Sequence, residues 1–346
     1  MKTPLIEVLF DKGPNISLLN EVWAKKYCYY GIFDDTLLLG FGSCLEYDGY
    51  FDTSLYSFSY LGNFCIHPDY RKQGLFKKLT EFILQEVYKK ENICFCMVLQ
   101  GNTSMESFFK NKDFQFRGVR NFKVFDTYVT TSVLITKKRK ESTIYSIQQA
   151  SEHHKRQLID VLASVFIKKN FAPVINLKTF DKKINGTYNI ALKDYRLAFK
   201  NDEIVGICGV WKMHPIKRTK IIRLKSWFRF IFLCYTLFAK ILKYPCLPMS
   251  GDTLKEVYLT DLYVKDNKPA ILQAMLFSIN NELRTHNYNL IHFATSKENP
   301  MLRATKPFFS IPIYSKIYSI SKNHKFLNSI DKIEKTEFPY IDVALV

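Results

Sequence analysis

Apolar and polar positions follow short alternating runs, and each run gives way to a turn signal or to helical spacing. Residues 6–10 read as a strand and 17–26 as a short helix. "YYGIF" and "TLLLGFGSCLEY" flank Asp34-Asp35, turn chemistry that predicts a hairpin. A strand over about 57–66, a helix over 73–90, a strand over 93–100, a short helix over 104–111 and a hairpin over 114–135 follow. Within the long helix Leu75, Leu79, Phe82, Ile83 and Val87 recur at a spacing near 3.6. The charged stretch "TKKRKES" at 136–142 reads as a solvated linker.

The pattern then starts again. "YSIQQA" is strand-like, and Leu158, Leu162, Val165 and Phe166 share one helix face. "YRLAFKNDEIVGICGVW" predicts a hairpin about Asn201-Asp202, "KEVYLTDLYV" a strand, and Leu272, Met275, Ile279 and Leu283 a helix. "NLIHFATS" is a strand and "MLRATKPFF" a short helix, and "IPIYSKIYSI" with "FPYIDVALV" would close a hairpin. The order β–α–ββ–β–α–β–α–β–β thus occurs twice, with little shared sequence. The expectation is an α/β (α+β) chain with mixed sheets and two domains, 1–138 and 143–346.

A basic, apolar insert at about 215–250 breaks the symmetry. Phe230 to Ala239 is uncharged, and Arg229 and Lys240 bracket it. A membrane span needs about 20 apolar residues. A basic amphipathic helix lying on an anionic membrane, or a buried helix that clamps the domains or shapes a substrate cleft, are the other readings.

The charge is uneven. Residues 1–140 carry 19 basic and 15 acidic side chains, and the remainder 31 against 17. Such a half attracts anions: nucleic acid, an acidic membrane surface or an acidic small molecule. No recognition-helix motif favours nucleic acid. Glu7 and Asp11 inside the apolar part of the N-terminus argue against a secretory leader. Eight cysteines without a CxxC pair read as reduced core residues of a cytoplasmic protein, and no Cys/His set has zinc-ligand spacing.

The chemistry concentrates in "IHPDYRKQGLFKKL", from Ile66 to Leu79. An apolar strand runs into a turn bearing Arg71, Lys72, Gln73 and Gly74, and a helix starts at once. The first amides of a helix lack intrahelical acceptors and the dipole there favours negative charge, so the turn suits a diphosphate. Glycine would let a ligand approach the backbone. Neither GxxxxGK[ST] nor GxGxxG is present.

This stretch resembles the acetyl-CoA-binding motif of the GNAT acyltransferase superfamily, in which V-x-P-x-[YW] leads to [QR]-x-x-G-x-[GA] and a helix. Arg71, Gln73, Gly74 and Leu79 match, whereas Phe76 stands where the family usually has Gly or Ala. "NTSMESFFKNKDF" resembles a second motif, N-x-x-A-x-x-x-Y-x-x-x-G-F, with Asn102, Met105, Phe109, Asp113 and Phe114 in its places. The resemblance implies two GNAT-like domains in tandem and acetyl-CoA as acyl donor without a metal. It implies that the backbone of Phe64, Cys65 and Ile66 pairs with the pantetheine arm. The amides from Arg71 through Lys72, Gln73, Gly74, Leu75 and Phe76 to Lys77 would hold the pyrophosphate. Asn102 would lie near the pantetheine and Phe109 near the thioester.

Phe109 has no hydroxyl to protonate a departing thiolate, as the family's Tyr does; Tyr128 and Tyr60 are candidate replacements. Glu46, or Tyr60 through water, is a candidate base, and the terminal carboxylate of Val346 a further one. His67 at the strand exit reads as solvated and His292 as a core histidine. In the second half "KDNKPAILQAML" lacks the Gly and the Arg/Gln set, and Pro269 offers no amide, so that repeat is expected to be degenerate and to help form the acceptor cleft. The implied activity is N-acylation of a small-molecule or peptide amine by direct attack. A catalytically impaired acyl-CoA-binding or sensor protein, and a tRNA-dependent aminoacyl transferase, are the alternatives. Peripheral membrane contact through 219–248 is left open.

Overall fold

The hairpin signals are met where left-handed backbone is needed: Asp35 lies at φ 49°, Asn201 at 50° and Asp202 at 62°, conformations that Asn and Asp tolerate better than most residues. The protein is described by a computed structural model over residues 6–90, 93–110, 121–321 and 338–345. The first half comprises β1 (Ile6–Asp11), α1 (Leu18–Trp23), β2 (Lys26–Asp34), β3 (Leu37–Phe51), β4 (Ser54–Ile66), α2 (Leu75–Tyr88), β5 (Ile93–Leu99), α3 (Thr103–Lys110) and β6 (Asn121–Leu134). The second comprises β7 (Ser146–Gln149), α4 (Glu152–Phe166), α5 (Leu177–Ile184), β8 (Tyr195–Lys200) and β9 (Glu203–Trp211). It continues through β10 (Arg218–Leu224), α6 (Ser226–Leu242), β11 (Glu256–Val264), α7 (Pro269–Thr285), β12 (Leu290–Ser296) and β13 (Ser310–Ser321).

Among the described residues one mixed sheet carries eleven strands in the order β2-β3-β4-β5-β13-β6-β12-β11-β9-β8-β7. The halves exchange strands at its centre. β13 of the second half pairs antiparallel with β5, while β6 of the first half pairs antiparallel with β12, and β13 and β6 pair with each other. A repeat relation is visible on either side of that seam: β4–β5 and β11–β12 are the parallel pairs. One apolar core runs through both halves and includes Phe58 and Phe95 from the first and Phe171, Trp211 and Phe293 from the second. Phe171 packs at a tilt of 41° against Phe95 with ring centroids 4.7 Å apart, and the backbone beside it bonds to β3 through Phe171 N–H to Tyr50 O and Tyr50 N–H to Ala172 O.

Several sequence readings need correction, and β1 takes a partner that the pattern did not name. β1 does not join the main sheet; it pairs with β10 of the insert in a separate ribbon. "IPIYSKIYSI" does not close a hairpin with "FPYIDVALV": β13 has β5 and β6 as neighbours, and the described part of the last segment is a loop ending in a 3-10 turn, Val343–Leu345. An alternating run declares a strand, but its partner is set by burial elsewhere in the chain. The insert helix does not clamp the halves from a buried position, because α6 buries only Ala239 fully. Nor is it a span: among the described residues no helix is long and apolar enough to cross a membrane. Asp113, Phe114 and Val346, and with them the start of the expected 114–135 hairpin, lie outside the described residues.

Candidate functional site

β4 and β5 stay paired only from Phe58–Ile93 to Leu61–Cys96 and then part. β4 continues to Ile66 with its other edge on β3, where Phe41 pairs with Cys65 and Gly40 with Ile66. A bulge at Asn63, which has φ 55°, lies within this stretch. Among the described residues no strand covers the edge facing the gap from Gly62 onward, which offers backbone N–H and C=O groups to an extended ligand.

The chain leaves β4 through a one-turn 3-10 segment, Pro68–Tyr70. Pro68 supports it at the start, where its missing N–H costs nothing. Arg71 Nε donates to Ile66 O at 3.1 Å and ties the loop to the strand end. Lys72 at φ 65° and Gly74 at φ 77° then turn the chain into α2. A Cβ at Gly74 would meet nothing within 4 Å, so the glycine answers to backbone conformation and faces open space. Lys78 N–H bonds to Gly74 O at 3.1 Å, and the helix geometry leaves the amides of Leu75 and Phe76 without intrahelical acceptors. No acidic residue lies in the first turn of α2.

The gap and the turn open into one cavity of about 970 Å³. Of the residues singled out in the sequence, Phe64, Cys65, Ile66, Arg71, Lys72, Gly74, Leu75, Phe76, Lys77, Asn102, Phe109 and Tyr60 line it; Gln73, Glu46 and Tyr128 do not. Among the described residues no Asp or Glu lines it. One end is basic, at Arg71, Lys72 and Lys77, and the flank is aromatic. Phe76, the departure from the motif, packs between Phe64 at 5.4 Å and Phe108 at 4.9 Å. Phe109 stacks on Tyr318 of β13, centroids 4.2 Å apart and planes within 12°. Asn102 accepts from Met105 N–H at 3.3 Å, capping α3. Burial pushes the Cys96 thiol up to about 12, which leaves it protonated and a poor nucleophile at neutral pH.

The other candidates are engaged elsewhere. The Glu46 carboxylate pairs with Lys90. The Tyr128 hydroxyl donates to Ile341 O and accepts from Ile341 N–H, both at 3.0 Å, and so anchors the C-terminal segment. His67 is partly exposed, 3.8 Å from Asp69. His292 is buried between Ser132, at 2.9 Å, and Glu256, at 3.0 Å, as a satisfied core histidine would be. Among the described residues no group of His, Cys, Asp and Glu could hold a metal ion.

Tyr60 also borders a second, small space of about 30 Å³, walled by Trp23, Leu45, Tyr47, Phe95, Phe171 and Pro173, with Ile341 and Asp342. Asp342 was not singled out in the sequence. The residue sits in an apolar stretch that resembles a strand, and only the Tyr128 anchor and the seam between the halves bring it here. Its Oδ2 accepts from Thr260 Oγ1 and from Tyr340 OH at 3.3 Å, and its Oδ1 from Ala344 N–H at 3.0 Å. Lys183 of α5 lies 3.8 Å away, and holds Asp261 at 2.7 Å. Burial pushes the Asp342 carboxyl above the usual carboxylate range; Lys183 opposes the rise and Asp261 adds to it. Lys217, another charge acting here, is pushed down to about 8 by its own burial.

In the second half β11 and β12 pair only from Glu256–Leu290 to Tyr258–His292. Where they part, the Val343–Leu345 turn rests on both strands, and Asp261 N–H donates to Tyr340 OH at 2.7 Å. The chain's own C-terminal segment thus occupies the place equivalent to the open gap. The degenerate loop begins with Asp266 and Asn267, both at positive φ, followed by Pro269. Asp266 pairs with Lys268 at 2.8 Å, which puts a carboxylate where an anion site would need the opposite charge.

Residues 7–114 match the sequence model of the acetyltransferase (GNAT) family. This N-terminal stretch thus carries the sequence pattern of the GNAT family. The fold extends the likeness to the second half. A GCN5-related N-acetyltransferase from Sphaerobacter thermophilus superposes with a TM-score of 0.52 at 9% identity, over 90% of this chain and 80% of that one. The N-myristoyltransferase of Saccharomyces cerevisiae, solved with bound myristoyl-CoA, gives 0.55 at 9% identity, over 93% of this chain and 79% of that one. At such identities the likeness is one of fold. No curated protein matches the chain. A GNAT-like fold accounts for the order of elements around the gap and for a mixed α/β sheet built from two related halves.

Proposed function

We propose that the chain is an acyl-CoA-dependent N-acyltransferase that uses the N-terminal gap for its donor and the seam between the halves for its amine acceptor. The observation that carries this reading is the meeting, in one cavity, of an open β4 edge with the Arg71–Lys77 turn. The donor supplies an activated thioester. The amides at the start of α2, with Arg71 and Lys72, bind its diphosphate, and the edge from Gly62 to Ile66 orients its amide-bearing arm. The space beyond Tyr60 is small, about 30 Å³, which favours acetyl over long acyl groups.

Asp342 is the carboxylate beside that space, and we assign it the proton of the attacking amine. A carboxyl raised above its usual range is a better general base near neutral pH than an exposed one. Nitrogen bonds to the carbonyl carbon, the carbon–sulfur bond breaks, and sulfur leaves as thiolate. With a thiol pKa near ~8.5, the thiolate is a tolerable leaving group without the hydroxyl that Phe109 lacks. The GNAT pattern of residues 7–114 supports a small-molecule or peptide amine as acceptor.

Phe109 itself favours a second reading, an acyl-CoA-binding or sensor protein that no longer turns over. Thiol release from acetyl-CoA across a panel of amines separates the two. Amine-dependent release that produces the matching amide is expected for the enzyme. Saturable acetyl-CoA binding with no amine-dependent release would support the sensor.

A further inference from the structure

The 17 residues of α6 present an apolar face that nothing among the described residues covers. Phe230 is 67% exposed, Leu237 and Phe238 63% each and Ile241 70%; Trp227, Ile231, Leu233 and Leu242 are exposed as well. At 100° per residue these side chains form one continuous arc along the helix, while Phe228, Phe232 and Ala239 turn toward the protein. Arg229 and Lys240 border the arc, and Lys225 and Lys243 flank the helix ends. From Lys212 to Gly251 the chain has nine basic residues and no acidic one.

We propose that α6 is an in-plane docking helix for an anionic phospholipid bilayer. Its apolar arc enters the boundary between headgroups and acyl chains, with Trp227 at the level suited to indole. The surrounding lysines and arginines meet lipid phosphates. Charge decides against a second copy of the chain as the occupant: a two-fold interface through α6 would bring two such basic segments together without a carboxylate from either. The helix is too short to cross, so it lies on the surface. This inference does not depend on the acyltransferase reading.

Flotation of the full chain with vesicles tests it. Vesicles of phosphatidylcholine with about one-third phosphatidylglycerol are compared with phosphatidylcholine alone, at low and high salt. The chain is expected to float with the anionic vesicles, to be released by salt, and to shift its tryptophan emission to the blue in a manner lost in Trp227→Phe. Phe230→Glu with Leu237→Glu, both on exposed positions, should lower partitioning by at least about tenfold with an unchanged circular dichroism spectrum and melting curve. Arg229→Glu with Lys240→Glu should do the same on anionic vesicles. Wild-type chain that stays free of anionic vesicles at low salt would overturn the proposal. So would equal partitioning of the Phe230/Leu237 variant, or a lipid-independent dimer that this variant dissolves.

Discussion

Gly74→Val is expected to weaken acetyl-CoA binding by roughly 10- to 100-fold while the chain stays folded. A β-branched residue at φ 77° carries roughly 1–2 kcal/mol of backbone strain. The turn can relieve that strain only by rotating the peptides that aim the first α2 amides at the diphosphate. Arg71→Glu should reach a similar loss by another route. Removing one charge-assisted hydrogen bond costs about 1.5–3 kcal/mol, and reversing the charge adds repulsion. Gly186→Val supplies the control, because Gly186 has φ 90° and lies outside the cavity wall. It imposes comparable strain, so it should lower stability and leave acetyl-CoA affinity within about twofold of wild type. Equal loss of affinity in Gly186→Val and Gly74→Val would assign the effect to folding rather than to the turn.

Asp342→Asn should lower kcat by about 10² to 10⁴ and leave the affinity for acetyl-CoA close to wild type. The pH dependence carries the sign. A base must be ionised to accept a proton, so kcat rises as pH passes upward through the Asp342 pKa. Burial holds that pKa above the usual carboxylate range, so the acid limb lies at higher pH than an exposed aspartate would give. The variant has no such group and loses the limb. Asn keeps the shape of the side chain, and Lys183 retains Asp261 at 2.7 Å, so the fold should persist. Lys217, pushed down to about 8 by its burial, can add a separate limb at higher pH, which Asp342→Asn moves downward because the Asp342 charge raises the Lys217 pKa. Turnover within about threefold of wild type with an unchanged acid limb would remove Asp342 from the chemistry.

Much of this site could be read from the sequence because its determinants are local. A strand exit, Arg71, a glycine and a helix with 3.6-residue spacing declare the turn, and the turn places its own amides. Phe76 was visible as a departure, but its role between Phe64 and Phe108 required knowing that α3 folds back over α2. The acceptor side was not legible in the same way. Asp342 reaches Tyr60's surroundings only because β13 and β6 exchange across the seam and Tyr128 fastens Ile341, contacts between residues far apart in sequence. Glu46 looked like a base because a carboxylate on the third strand falls at the right height; its pairing with Lys90 depends on which face of β3 it takes. Likewise, the alternation in β1 announced a strand, while its partner β10 lay inside an insert read chiefly as a helix. Amphipathic spacing in that helix could not say whether its apolar side faces the protein or the solvent.

The central claim is that the open β4 edge and the start of α2 together hold an acyl-CoA. Isothermal calorimetry with acetyl-CoA on the folded, full-length chain tests it most directly. One saturable site is predicted, with the heat lost in Gly74→Val and retained in Gly186→Val. No heat from the wild-type chain at any temperature where it is folded, with acetyl-CoA or with longer acyl-CoA, would contradict it.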